Sequence, residues 1–207
     1  MENGFITNNA ELSGTVTGEL RESHRSYGET FYQFPLGIER KSGYVDEIQI
    51  IVSERLVWKN IPEVGTRVHI GGQVRTYNEM ENGRSRLNVT VFAREFSVCA
   101  EECGGEGEDE NCVYLSGFLC KEPVLRISPL GREICDIMLA VNRMYNKSDY
   151  IPCIAWGRNA IYAGSLDVGS PLTLTGRIQS REYRKKDEEG GVALKVAYEV
   201  SIVKIEA

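Results

Sequence analysis

The chain has 207 residues, of which 42% are hydrophobic and 26% charged. That is ordinary globular usage, enough to bury a core in one or two domains and too apolar for wholesale disorder. The net charge of −6, taken alone, weighs against a nucleic-acid partner. No run of about 18 apolar residues occurs, so no membrane span is expected.

The opening MENGFITNNAEL has neither the basic nor the apolar region of a signal peptide, which points to a cytoplasmic protein. Only two histidines are present, His24 and His69, which leaves little room for His-dependent catalysis or a His-rich metal site. Leu12-Ser13-Gly14 is the first motif that returns later in the chain. Phe31, Tyr32 and Phe34 alternate only in part and read equally as core or surface. Glu54–Gly65, ERLVWKNIPEVG, suits a helix that Pro62 limits to a turn or two. Val68–Thr76, VHIGGQVRT, then reads as a strand.

Residues 99–110, CAEECGGEGEDE, hold six acidic residues, three glycines and no basic residue. Such a stretch cannot bury enough apolar surface to order itself and reads as a linker. It divides the chain into domains of 1–98 and 111–207. Four cysteines lie near it, Cys99, Cys103, Cys112 and Cys120, but without a CxxC knuckle, so no zinc or other cofactor is expected. Cys135 and Cys153 sit in apolar runs and read as small core residues.

The two halves are copies of one pattern. Leu12-Ser13-Gly14 recurs as Leu115-Ser116-Gly117, an offset of 115 − 12 = 103. VHIGGQVRT matches Leu172–Ser180, LTLTGRIQS, at 172 − 68 = 104. A one-residue slip over a hundred positions is what two copies of one fold show. In the second copy, Val113–Leu119, Ile134–Val141, Tyr150–Ala155, Leu172–Ser180 and Leu194–Val203 read as strands. Arg158–Gly169, between the third and fourth, suits a short helix closed by glycine. Five strands with a helix between the third and fourth is the plan of an OB-fold, a five-stranded Greek-key barrel. A β-sandwich fits the pattern alone equally well.

Charge by segment changes the first impression. Residues 1–98 carry 11 basic and 13 acidic side chains, the linker none and 6, and residues 111–207 carry 13 and 11. The domains are thus −2 and +2, and the linker holds the whole −6. In the second domain Arg126, Arg132, Arg143, Lys147, Arg177, Arg181, Arg184, Lys185 and Lys186 cluster near turns and the fourth strand. Tyr145, Tyr150, Trp156 and Tyr183 interleave with them. Flat rings for bases beside cations for phosphates are what single-strand binding needs. Arg143, Arg177 and Arg181 suit a groove, whereas Lys185 and Lys186, followed by Asp187-Glu188-Glu189, suit a solvated hairpin tip. Tyr162 and Tyr198 read as packing residues.

Asn111–Arg143, Asp149–Ala160 and Val168–Tyr183 together resemble the bacterial single-stranded DNA-binding proteins, with five segments agreeing in order and spacing. The resemblance implies an all-β chain of two tandem OB-folds that coats and protects unwound DNA in replication, recombination or repair, with little sequence preference and no enzymatic reaction. It places base stacking on Tyr145, Tyr150, Trp156 and Tyr183, and DNA-backbone contacts on Arg126, Arg143, Arg177 and Arg181. The first copy departs from this pattern. Ser42, Glu47, Ser53 and Glu79 stand where those aromatics would be, leaving weaker candidates in Arg40, Tyr44, Arg75 and Tyr77, with Arg84 and Arg86. The first domain is therefore expected to bind DNA weakly or to set quaternary structure. Family members present four OB-folds, which implies a homodimer here. Their acidic, hydrophobic C-terminal tip has no counterpart in VSIVKIEA. A primosome-type or RNA-binding OB protein and a protein-interaction scaffold are the alternatives.

Overall fold

A computed structural model describes residues 7–81, 83–99, 109–186 and 192–206. Among the described residues, twelve strands are arranged as two OB-fold barrels. The first uses β1 (Asn8–Val16), β2 (Arg21–Ser26), β3 (Glu29–Glu39), β4 (Val45–Ser53), β5 (Arg67–Glu81) and β6 (Arg84–Val98). The second uses β7 (Glu110–Leu119), β8 (Val124–Ile127), β9 (Glu133–Asn142), β10 (Ser148–Trp156), β11 (Pro171–Lys186) and β12 (Val192–Glu206). Helix α1 (Glu54–Val57) follows β4, and α2 (Arg158–Gly164) follows β10.

Each barrel closes with five strands, and β2 and β8 are additions the sequence pattern did not reveal. They are short, exposed throughout or nearly so, and pair only with β3 and β9. Without an apolar alternation they leave no period-two signal. The neighbour order β2-β3-β4-β6-β5-β1-β7-β11-β12-β10-β9-β8 reads the same from either end once equivalent strands are matched. Closure comes from β1 against β3, at Thr15–Gly37 and Val16–Leu36, and from β7 against β9, at Phe118–Ala140 and Leu119–Leu139.

The repeated Leu-Ser-Gly serves that closure. A Cβ on Gly14 would lie 2.3 Å from the Gly37 carbonyl oxygen, and one on Gly117 would lie 2.3 Å from that of Ala140. Only glycine lets the first strand bend this close to the third. Inside, the two cores match position by position. Leu12, Leu36, Ile48, Ile70 and Val74 correspond to Leu115, Leu139, Ile151, Leu174 and Ile178, all fully buried. Three of these pairs are identical, Ile70 and Leu174 are isomers, and Val74 differs from Ile178 by one methylene, so the cores stay alike where the surfaces diverge. Cys135 and Cys153 are buried as expected, and burial pushes both thiols up. Helix α1 has a single turn, capped by the Ser53 hydroxyl accepting from the Arg55 N–H at 3.1 Å. Strand β7 begins at Glu110, inside the expected linker; the rest of it, residues 100–108 with Cys103, lies outside the described residues.

The barrels join through β1 and β7, paired antiparallel from Asn8–Leu115 to Ser13–Glu110. Ala10 pairs with Val113, its own equivalent at offset 113 − 10 = 103, so a pseudo-twofold axis passes between them. Asn8 and Asn111 obey the same axis. The Asn8 amide donates to the Val74 carbonyl and its oxygen accepts from the Val74 N–H, both at 2.8 Å. Asn111 does the same with Ile178, at 2.8 and 2.9 Å.

Candidate nucleic-acid interface

Strand alternation sorts the second barrel's side chains into two faces. On β10, Asp149, Ile151, Cys153 and Ala155 turn inward and are buried, so Tyr150 and Trp156 turn outward. On β11, Ile178 and Ser180 are buried, which puts Arg177, Arg181 and Tyr183 outside. Registers tie the strands into one surface: Tyr150 opposite Ala140, Trp156 opposite Ile134, Arg177 opposite Ser201 and Tyr183 opposite Lys195. The outer face of β9, β10, β12 and β11 thus carries two aromatics on one strand and cations with a third on another. Trp156 is 43% exposed, too open for a core tryptophan.

Tyr145 lies in the turn between β9 and β10, closed by the Arg143 N–H donating to the Lys147 carbonyl at 2.7 Å. Its φ is 62° and its side chain is 90% exposed. A bulky residue held left-handed costs roughly 1–3 kcal/mol, and here the ring gains no burial in return. Tyr162, expected to pack, is instead half-exposed on α2, whereas Tyr198 is packed against the core.

The arginines divide by partner. Arg177 is exposed on the outer face. Arg181 stands 3.5 Å from Glu199, whose carboxyl is pushed up by burial. Arg126 makes a two-pronged pair with Asp136, at 2.6 and 3.2 Å, and that bonding raises its pKa. Arg143 is committed elsewhere. It donates to the fully buried Asp149 at 2.7 Å, and Arg75 of the first barrel donates to the same carboxylate at 3.0 Å. Asp149 also accepts from the Thr76 N–H at 2.8 Å, while the Thr76 hydroxyl accepts from the Tyr150 N–H at 2.9 Å.

The mirror arrangement sits across the axis. Arg40 forks onto buried Asp46 at 2.6 Å for each bond and also donates to the Ser180 carbonyl at 2.8 Å. Asp46 accepts from the Ser180 N–H at 2.6 Å and its hydroxyl at 2.8 Å. Tyr44 lies under the Arg40 guanidinium, 4.6 Å from ring centroid to carbon. Arg40, Tyr44, Arg75 and Arg143 therefore clamp the two barrels together. The reciprocal aspartates escaped the motif reading. Their signal is faint but present: an acidic residue at one offset, 149 − 46 = 103, each preceding an alternating apolar run.

Tyr77 is on the outer face of β5, partly exposed, and burial of its ring raises its pKa. Arg86 reaches the Val196 carbonyl of the other barrel at 3.4 Å. The side chains of Arg84, Arg184, Lys185 and Lys186, and all of Asp187-Glu188-Glu189, lie outside the described residues. Among the described residues no cluster of three metal-ligating side chains occurs, and no helix is long and apolar enough to cross a membrane.

A family model described as the single-strand binding protein family matches residues 110–206, which are β7 to β12. The second barrel, 97 of the 207 residues, is thus similar to that family. The single-stranded DNA-binding protein of Clostridium tetani is 37% identical over 84 residues, covering 37% of this chain and 58% of its own length. Single-stranded DNA-binding protein A of Bacillus subtilis is 37% identical over 83 residues, covering 37% of this chain and 48% of its own. The match thus spans about half the length of these curated relatives, which are named as DNA-binding proteins and not as enzymes. In structure, the wild-type single-stranded DNA binding protein from Thermus aquaticus superposes with a TM-score of 0.74 at 22% identity, over 96% of this chain and 91% of that one. A deletion mutant of the same protein gives 0.73. That likeness covers both barrels and shows that the fold is shared.

Proposed function

We propose that this protein binds single-stranded DNA without marked sequence preference and coats unwound DNA during replication, recombination or repair in the cytoplasm, with no chemical step of its own. The observation that carries the reading is the outer face of the second barrel, where Tyr150, Trp156 and Tyr183 stand exposed beside Arg177 and Arg181. Tyr145 extends that face at the β9–β10 turn. Each base stacked on such a ring contributes roughly 1–3 kcal/mol, and every base has a flat face, so the mode tolerates any sequence. Arg126 and Arg181 reach phosphate once they leave Asp136 and Glu199, whereas Arg143 acts by holding the turn that presents Tyr145.

The chain has two tryptophans, Trp58 and Trp156. Poly(dT) is expected to quench the intrinsic fluorescence, and Trp156→Phe to remove most of that quenching. Quenching that survives Trp156→Phe and disappears in Trp58→Phe would falsify the assignment of the face. Log affinity should fall linearly with log salt, by about 0.7 for each phosphate neutralised. A homodimer presenting four OB-folds goes with this reading, and sedimentation as a monomer at micromolar concentration would refute it.

A further inference from the structure

The first barrel lacks aromatics at the positions of Tyr150 and Trp156, where Glu47 and Ser53 stand. Its outer face nevertheless carries a different row of rings. Phe34, Leu36 and Ile38 on β3 are buried, so Phe31 turns outward; Val89, Val91 and Ala93 on β6 are buried, so Phe92 does too. Phe31 lies directly opposite Ser53 and also opposite His24 of β2. His24 stacks on Phe31 with centroids 4.8 Å apart and planes 6° from parallel. Phe31 meets Phe92 at 5.6 Å, and the Arg94 guanidinium lies 5.7 Å from the Phe92 centroid. The row crosses the face of β2, β3, β4 and β6 from an exposed histidine to an exposed arginine.

Three further features favour a ligand over packing. Arg21, paired with Gln33 of the same outward set, puts another exposed cation on this face. Tyr27 projects fully into solvent from the β2–β3 turn with φ 49°, a left-handed backbone that a bulky ring rarely adopts. In the second barrel the equivalents of Phe31 and Phe92 are Ile134 and Ser201, so the row is no common requirement of the fold.

We propose that the first barrel holds a second single-strand track, in which the His24–Phe31–Phe92 rings stack bases and Arg21 and Arg94 meet phosphates. The track is displaced by one strand, because Phe31 fills the surface beside the vacant Ser53 position. It rests on the single-strand-binding reading of the second barrel and extends the path a long strand follows on one chain.

The test uses the full chain with two oligomers, dT of about 10 and about 35 nucleotides, chosen because one OB-fold occupies roughly 4–16. His24→Ala removes an exposed ring from an edge strand, and Phe92→Leu keeps apolar volume while removing the π face. Both variants should bind the short oligomer as the parent does, weaken on the long one by about fivefold or more, and cover fewer nucleotides of poly(dT). Parent-like affinity of both folded variants for both lengths would overturn the track. If the parent binds neither length at low salt, the wider reading falls and takes the track with it. Photocrosslinking with a 5-iododeoxyuridine 35-mer gives an independent measure. Adducts on peptides holding His24, Phe31 or Phe92 support the track, and adducts confined to residues 145–183 oppose it.

Discussion

Asp149 has no exposed surface, yet it receives two guanidinium groups, Arg143 from its own barrel and Arg75 from the other. Removing one partner of a buried ion pair strands the remaining charges, at a cost of about 3–5 kcal/mol. Asp149→Ala should lower stability by that amount in urea unfolding, and a change under 1 kcal/mol would show that the clamp is incidental. Glu199 behaves differently. Burial raises its pKa, so the folded state holds its proton more tightly than the unfolded chain does. Stability from this group is therefore greatest at low pH and declines as pH rises from the unfolded carboxylate value through the raised one. Glu199→Gln should flatten that decline and release Arg181. Tighter binding to dT oligomers, with a salt slope steeper by about 0.7, is the expected reading. Arg40, Tyr44 and Arg75 show the limit of residue-level sequence reading. Arginines and tyrosines suit DNA and buried carboxylates alike, and only the position of Asp46 and Asp149 distinguishes the two uses.

Elements follow the sequence where burial is one-sided. Strand β1 alternates buried and half-buried side chains along its whole length, and β10 has Tyr150 and Trp156 on the face opposite buried Ile151, Cys153 and Ala155. Both were legible because a period of two aligns with the pleat. Strands β2 and β8 were not, since neither face of them is covered. The ring row of the first barrel was hidden for a related reason. His24, Phe31 and Phe92 lie on three strands, 92 − 31 = 61 residues apart at the widest step, so no local pattern links them. Closure of each barrel is the most exacting element-level feature. Gly117→Ala places a methyl 2.3 Å from the Ala140 oxygen and should cost about 1–3 kcal/mol, seen as a lower urea midpoint with an unchanged slope.

Three of the features that join the two barrels obey one pseudo-twofold axis: the β1–β7 ladder, the paired asparagines and the reciprocal aspartate clamps. None of these uses residues 100–108. A chain cut at a protease site introduced within 100–108 should therefore stay associated, its halves eluting together in size-exclusion chromatography at native salt. Separation of the halves at micromolar concentration would mean that the connecting segment, and not the interface, holds the pair. The symmetry also sets the two outer faces in equivalent positions.

By itself the amino-acid sequence determined the repeat, the run of strands with a helix after the third, the burial of Cys135 and Cys153 and the presence of aromatics on β10 and β11, while the choice of an OB plan over a sandwich came from the family resemblance. Those features are local or periodic: alternation, glycine at a bend, an offset of 103 or 104. Tertiary structure alone decided which charges are available and how the copies face each other. A buried carboxylate draws arginines from 74 residues away, Arg75 to Asp149, and a row of rings assembles across strands that are distant in the chain. Pairing of that kind depends on low-dielectric burial and on sheet register, and a linear pattern encodes neither.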